Sequence, residues 1–322
     1  MSADQNLNMN IFKGIFLLLS GLALSSEAQV KSSIPEWENL KTIELPLFPA
    51  YSDAGRVFIS IFKSNQSLSQ SILDRLRQEQ KAKKTVNFYV EGKIVEEILS
   101  ELEFPVDSVF YIRSFSETNG QSIKVSEIRK LQIRSNNTQD ITLGTIALET
   151  SLQAKESSRL TPVGLAWLDK VNPFTDNEIK EIKTEPSKLR LRTQHELQET
   201  VEHLLSSPQK IRYENAIELS ANLPDGKLIE IQMPFERNDG DKLNLLGYFV
   251  RKADQIIKVH DFYFDDAYHA KPEKIFSGKI LKNYKYALVF ASMGMGQCGK
   301  LLLLKDDGTW VESVLHCGLW GC

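Results

Sequence analysis

Residues 291–310 read ASMGMGQCGKLLLLKDDGTW, and Gly294, Gly296 and Gly299 within them spell G-x-G-x-x-G, with Lys300 directly behind. In a dinucleotide site those glycines let the backbone approach a pyrophosphate at the N-terminus of a helix, whose free amides and dipole hold the anion. The helix is the working part. Here a run of four leucines follows, and a turn at Asp307-Gly308 comes too soon for a helix that completes a parallel crossover. A Walker loop needs Ser or Thr after its lysine, and Leu301 stands there. The glycines therefore read as a bend or bulge in a sheet, where they supply positive φ and close approach.

The second chemical candidate is HDFYFDDAYH, residues 260–269. His260, Asp261, Asp265, Asp266 and His269 alternate with aromatic residues. Strand alternation puts Asp261 and Tyr263 on one face and His260, Phe262 and Phe264 on the other, with Asp265 and Asp266 at the strand end. Carboxylates gathered at a strand end suit a hard cation or acid–base work. The aromatics suit a carbohydrate or peptide platform. The plain alternative is a half-buried strand with a polar loop.

Three further patterns weigh less. His195, Glu199 and His203 share one helical row, but Leu197, Val201, Leu204 and Leu205 define the apolar stripe on the opposite side, so the row faces water. Arg75, Arg77, Lys81, Lys83 and Lys84 read as the wet face of an amphipathic helix. No G-x-S-x-G elbow is present, and adjacent His316 and Cys317 would point to opposite faces of a strand.

Around these candidates the 322 residues show ordinary globular composition, 42% hydrophobic and 25% charged. A net charge of −3 gives no electrostatic case for nucleic acid or an anionic membrane. Residues 15–24, IFLLLSGLAL, follow Lys13 and precede Ser26 and Ala28 in small-x-small spacing, the plan of a secretory signal peptide ending at residue 28. Such a stretch spans about 15 Å as a helix, half a bilayer core, although an uncleaved anchor is the competing reading.

Export makes oxidation of Cys298, Cys317 and Cys322 the default. If the loop of the last hairpin is the four residues Asp306 to Thr309, Lys305 faces Trp310 and Cys298 faces Cys317 at near-bridging distance. A Cys317–Cys322 bridge is the rival.

The elements that must position these groups divide into three parts after the signal. Residues 29–149 mix strands and helices: strands at 55–62, 85–90, 108–115, 131–134 and 141–148, and helices at 69–84 and 93–102. Residues 150–207 read as a mainly helical connection. Its capping boxes are Thr175 with Glu178 and Thr193 with Glu196, and Pro162, Pro173 and Pro186 punctuate it. Residues 208–322 read as antiparallel hairpins turning at NLPDG, Ala253-Asp254 and Asp307-Gly308.

The expected fold is α+β: a mixed N-terminal part, a short helical middle and an antiparallel C-terminal sheet with one disulfide. The expected function is that of an exported, non-catalytic protein binding a protein, small-molecule or carbohydrate ligand at the cell envelope or outside the cell. The alternative is a secreted hydrolase or metal-dependent enzyme using His260, Asp261, Asp265, Asp266 and His269. No cofactor, nucleotide or nucleic acid is expected, and no membrane span once the signal is removed.

Overall fold

Short alternating apolar runs, rather than long helical stripes, fill most of this chain, and a computed structural model turns them into sheets. It describes residues 40–62, 67–116, 120–135, 143–154, 162–183, 185–188, 210–211, 217–236, 242–252, 255–265, 274–291 and 299–315. The chain begins with strands β1 (Lys41–Thr42), β2 (Leu47–Asp53) and β3 (Arg56–Ser60). Helix α1 (Gln70–Lys83), β4 (Asn87–Glu91) and helix α2 (Lys93–Glu101) follow. Next come β5 (Val109–Ser114), β6 (Gly120–Lys124), β7 (Lys130–Ser135), β8 (Leu143–Gln153) and β9 (Pro162–Asp169). Three short strands lead on: β10 (Lys180–Glu181), β11 (Glu185–Lys188) and β12 (Lys210–Ile211). Long hairpins then form from β13 (Ile217–Leu223), β14 (Gly226–Glu236), β15 (Lys242–Lys252) and β16 (Gln255–Asp265). The last strands are β17 (Ile275–Gly278), β18 (Tyr286–Phe290), β19 (Lys300–Leu304) and β20 (Trp310–Val314).

These strands make three sheets. The first is antiparallel throughout, in the order β4-β7-β8-β3-β2-β9-β5-β6. The second runs β1-β20-β19-β18-β17-β10, with only β1 parallel to its neighbour. The third runs β11-β13-β14-β15-β16, with β12 also on β14.

The two helices cover one face of the first sheet. α1 buries Ile72, Leu76 and Gln80 at four-residue spacing, and α2 buries Ile94, Val95, Ile98 and Leu99. These apolar side chains pack with Phe48, Ile59, Phe110, Ile133 and Ile146 of the sheet. Phe48, Phe104 and Phe110 meet edge to face with centroids 5.6–5.7 Å apart. The amide of Ser69, just before α1, donates to Glu101 Oε2 at 2.7 Å, and Arg75 pairs with Glu97, so the two helices are tied at their wet edges.

The second sheet explains the leucine run. Leu301 and Leu303 join one core with Ala287, Val289 and Val311, against Leu47 and Leu165 of the first sheet. Leu302 and Leu304 point the other way, into a core with Leu288, Phe290 and Trp310, against Leu223, Leu228 and Val250 of the third sheet. A strand buried on both faces has no polar side to alternate, so its sequence is continuously apolar.

Three expectations change. The fold is mainly β rather than α+β: among the described residues, strands in three sheets stand against two α-helices. In the middle segment, β9, β10 and β11 stand where helices were expected. Thr175 does not cap a helix: its hydroxyl donates to the Lys279 carbonyl, its amide donates to Ile280 O at 3.0 Å, and its Oγ1 accepts from the Asn177 amide at 3.4 Å. A capping residue and a turn residue use the same side-chain bonds, and the sequence pattern does not separate them. Pro162 opens β9 and Pro186 lies in the edge strand β11, the two strand positions where a missing N–H is tolerated. The Thr193–Glu196 capping box lies outside the described residues.

The C-terminal hairpins, expected as one sheet, divide between the second and third sheets. The last hairpin turns through Lys305 to Thr309, with Gly308 at φ +84° and the Thr309 amide bonded to Asp307 Oδ1 at 2.8 Å. Leu304, not Lys305, therefore faces Trp310, and the register behind the Cys298–Cys317 alignment moves by one residue. Cys298, Cys317 and Cys322 themselves lie outside the described residues, as do residues 1–28.

Candidate binding cavity

Gly299 occupies a sheet rather than a helix terminus. Strand β19 follows it directly, its φ is +145°, and a Cβ there would stand 2.4 Å from the Phe290 carbonyl oxygen of the neighbouring β18. Glycine is needed because two backbones touch. Gly294 and Gly296 lie outside the described residues. Lys300 is engaged by Glu312 across the β19–β20 pair, and Glu312 also accepts from the Thr42 hydroxyl at 2.8 Å. The lysine thus joins β20 and β1 to β19.

The histidine–aspartate stretch forms β16. His260 is paired with Tyr248, Asp261 with Gly247 and Asp265, the last residue of the strand, with Leu243. His260, Asp261 and Asp265 thus share one strand of the third sheet. Asp266 and His269 lie outside the described residues, as does the His195, Glu199 and His203 row. Among the described residues, no group of three or more His, Cys, Asp or Glu could hold a metal ion. No helix among them is long and apolar enough to cross a membrane. The basic run lies on α1, where Arg77 pairs with Asp74 at 2.6 Å and Lys83 with Glu79 at 3.2 Å.

The face of the first sheet away from the helices carries a polar network. Arg134, 7% exposed, donates to Asp53 Oδ2 at 2.5 Å and to Gln132 Oε1 at 3.0 Å. Glu149 accepts from Arg56 Nη1 and from the Tyr89 hydroxyl, both at 2.8 Å. Partial burial, and then the bond to Glu149, raise the Tyr89 pKa. Arg134 is thus paired as a buried charge must be, while the Arg56–Glu149 pair is more exposed.

A concave feature lies elsewhere, where the first sheet meets the second. A cavity of about 380 Å³ opens between the end of β5, the start of β9 and the start of β17. Phe115, Leu152, Pro162, Ile179 and Phe276 give it apolar walls. Phe115, just past β5, stacks on Phe276 of β17 with centroids 4.4 Å apart and planes 25° from parallel, joining the two sheets at the cavity wall. Gly164 lets the strands close here, since a Cβ on it would stand 2.5 Å from Arg113 O. The β2–β9 pairing shifts register between Ala50 and Tyr51, and such irregularities splay a sheet end.

Three charged residues line this cavity: Arg113, Glu181 and Lys274. Arg113 is 4% exposed, and its Nη2 donates to the Asn177 carbonyl at 2.8 Å, holding the β9–β10 connection against the sheet. It also lines a second, more polar recess of about 300 Å³ with Gln121, Ser122, Asn172, Thr175 and Asp176. The hydroxyls of Ser114 and Ser116 lie 3.2 Å apart, hydrogen-bonded to each other.

None of these lining residues was singled out from sequence as part of a site; Pro162 and Thr175 were read there only as helix punctuation. One signal was legible: in SVFYIRSF, Arg113 falls between Tyr111 and Phe115 on one strand face, while Phe110 and Ile112 fill the other. A charge on a strand with two apolar faces is a charge placed inside.

No protein-family model, curated protein or solved structure matches the chain. The geometry alone therefore carries the functional reading.

Proposed function

We propose that this is an exported, non-catalytic binding protein that holds a compact, largely apolar ligand between its first and second sheets. The observation that carries the reading is the 380 Å³ cavity, which falls in the range of small-molecule sites and is walled by apolar side chains with a few polar groups. The Ser114–Ser116 bond favours binding over nucleophilic chemistry, since the donating hydroxyl directs its proton to the other hydroxyl rather than to a base. Export rests on the sequence of residues 13–28.

A neutral fluorescent probe, N-phenyl-1-naphthylamine, tests the cavity. Titration of the full chain should saturate at one probe per protein. Ser116→Trp, a change at an exposed lining position, should abolish that binding while Tm stays the same. Non-saturating fluorescence, or saturable binding that Ser116→Trp leaves intact, would remove the site. Export is checked separately: protein recovered outside the cytoplasm should begin after Ala28, by intact mass.

A further inference from the structure

We infer that the cavity selects an uncharged apolar molecule carrying one oxygen acceptor, such as a ketone or ester carbonyl, bound by the single hydroxyl proton that Ser114 and Ser116 have left over between them. The inference rests on the binding reading above and adds the ligand's polar contact and its charge. Both serines line the cavity, Ser114 half-buried and Ser116 exposed. Two hydroxyls bring two protons, and one of these lies in the bond that joins the two oxygens. The Ser116 amide also donates to Ser114 Oγ at 3.2 Å, which occupies a lone pair and uses no hydroxyl proton. Whichever serine donates to the other, its sibling keeps a proton that no third protein group accepts.

The remaining walls set the rest of the ligand. Phe115, Leu152, Pro162 and Phe276 offer apolar surface, so a molecule that fills the cavity displaces the water now bonded to the spare proton. A hydrocarbon would leave that proton without an acceptor, whereas a carbonyl oxygen accepts it and brings no donor of its own to satisfy. The charged lining residues call for no ion. Arg113 donates to the Asn177 carbonyl, Arg113 and Lys274 both have partners of their own, and Glu181 is exposed to water. An ion entering here would shed its hydration without gaining a free counter-charge. Size follows from volume: at about 30 Å³ per liquid water, the space equals roughly a dozen waters. A single-ring ketone or a short ester fits; a phospholipid or an oligosaccharide does not.

Displacement of N-phenyl-1-naphthylamine from the full chain by acetophenone and by ethylbenzene, which share a ring and differ by one carbonyl oxygen, tests this. The readout is the ratio of the two affinities, with Tm recorded for each variant. Ser114→Ala combined with Ser116→Ala should lower the acetophenone-to-ethylbenzene ratio about tenfold, the worth of one hydrogen bond. Each single variant should stay within about threefold of the original ratio, because the hydroxyl that remains keeps its proton and has no sibling to give it to. Benzoate, which has the shape of acetophenone and a negative charge, should displace the probe about tenfold less well than acetophenone.

An unchanged ratio in the double variant would overturn the serine contact and leave the cavity reading standing. A tenfold fall in either single variant would overturn it too, because one fixed donor rather than a shared proton would then be at work. Benzoate displacing the probe as well as acetophenone, or better, would overturn the preference for a neutral ligand. So would bound probe that none of the three compounds displaces. No response to N-phenyl-1-naphthylamine at all would overturn the binding reading itself.

Discussion

Replacing Gly299 with alanine separates the two meanings of a glycine-rich stretch. A Cβ at this position would lie 2.4 Å from Phe290 O and 3.1 Å from Leu315 Cδ1. The leucine methyl can rotate away. The carbonyl belongs to a residue paired with Lys300 in the β18–β19 ladder and cannot move without opening it. Holding a non-glycine residue at φ +145° costs about 1–3 kcal/mol, because that region is open essentially only to glycine. Forcing a methyl into a closed backbone contact costs about 1–3 kcal/mol more. Together these give about 2–6 kcal/mol, a large part of the 5–15 kcal/mol typical of a whole domain. Urea unfolding followed by tryptophan fluorescence is a direct assay, since Trp310 lies in the core between the second and third sheets and is 4% exposed. The Gly299→Ala midpoint should fall well below that of the unaltered protein. A loss under about 0.5 kcal/mol, the usual range of surface changes, would refute the close contact and reopen the loop reading.

Other outcomes follow from the same packing. Leu302→Ala and Leu303→Ala should each cost about 2–5 kcal/mol by urea unfolding, because neighbouring residues of β19 enter different cores; a sheet with one wet face would make one of the two nearly silent. Asp53→Ala should cost about 3–5 kcal/mol by leaving buried Arg134 without its carboxylate partner, and an unchanged midpoint would show the pair to be incidental. Burial raises the pKa of Tyr51 well above the ordinary tyrosine range, so its neutral form is favoured in the folded state. That contribution is complete below the unfolded pKa and is lost as pH rises toward the folded value. Tm should therefore decline above about pH 10, and Tyr51→Phe should make the decline shallower. Equal slopes would place the alkaline loss on other groups.

Sequence legibility followed the range of the interactions. α1 and α2 were readable because a helix closes its bonds within four residues and shows its buried face at fixed spacing. Within residues 55–148, β3, β4, β5, β7 and β8 were readable from alternation and turn residues, as were the hairpins of the C-terminal part, while β6 was missed. The described part of the middle segment was misread because S/T-x-x-E and proline describe local backbone needs that a turn and a strand edge share with a helix. Thr175 met those needs through Lys279 and Ile280, more than one hundred residues away in the chain.

The cavity was hidden for the same reason. Phe115 and Phe276 carry no mark that they stack, and Arg113 has no sequence neighbour that announces Asn177 or Lys274. The sequence by itself determined the period of α1, α2 and the alternating strands, the need for glycine before β19 and the apolar run of β19. Only the tertiary structure decided which face of each strand met which sheet, because that depends on contacts between segments far apart in the chain.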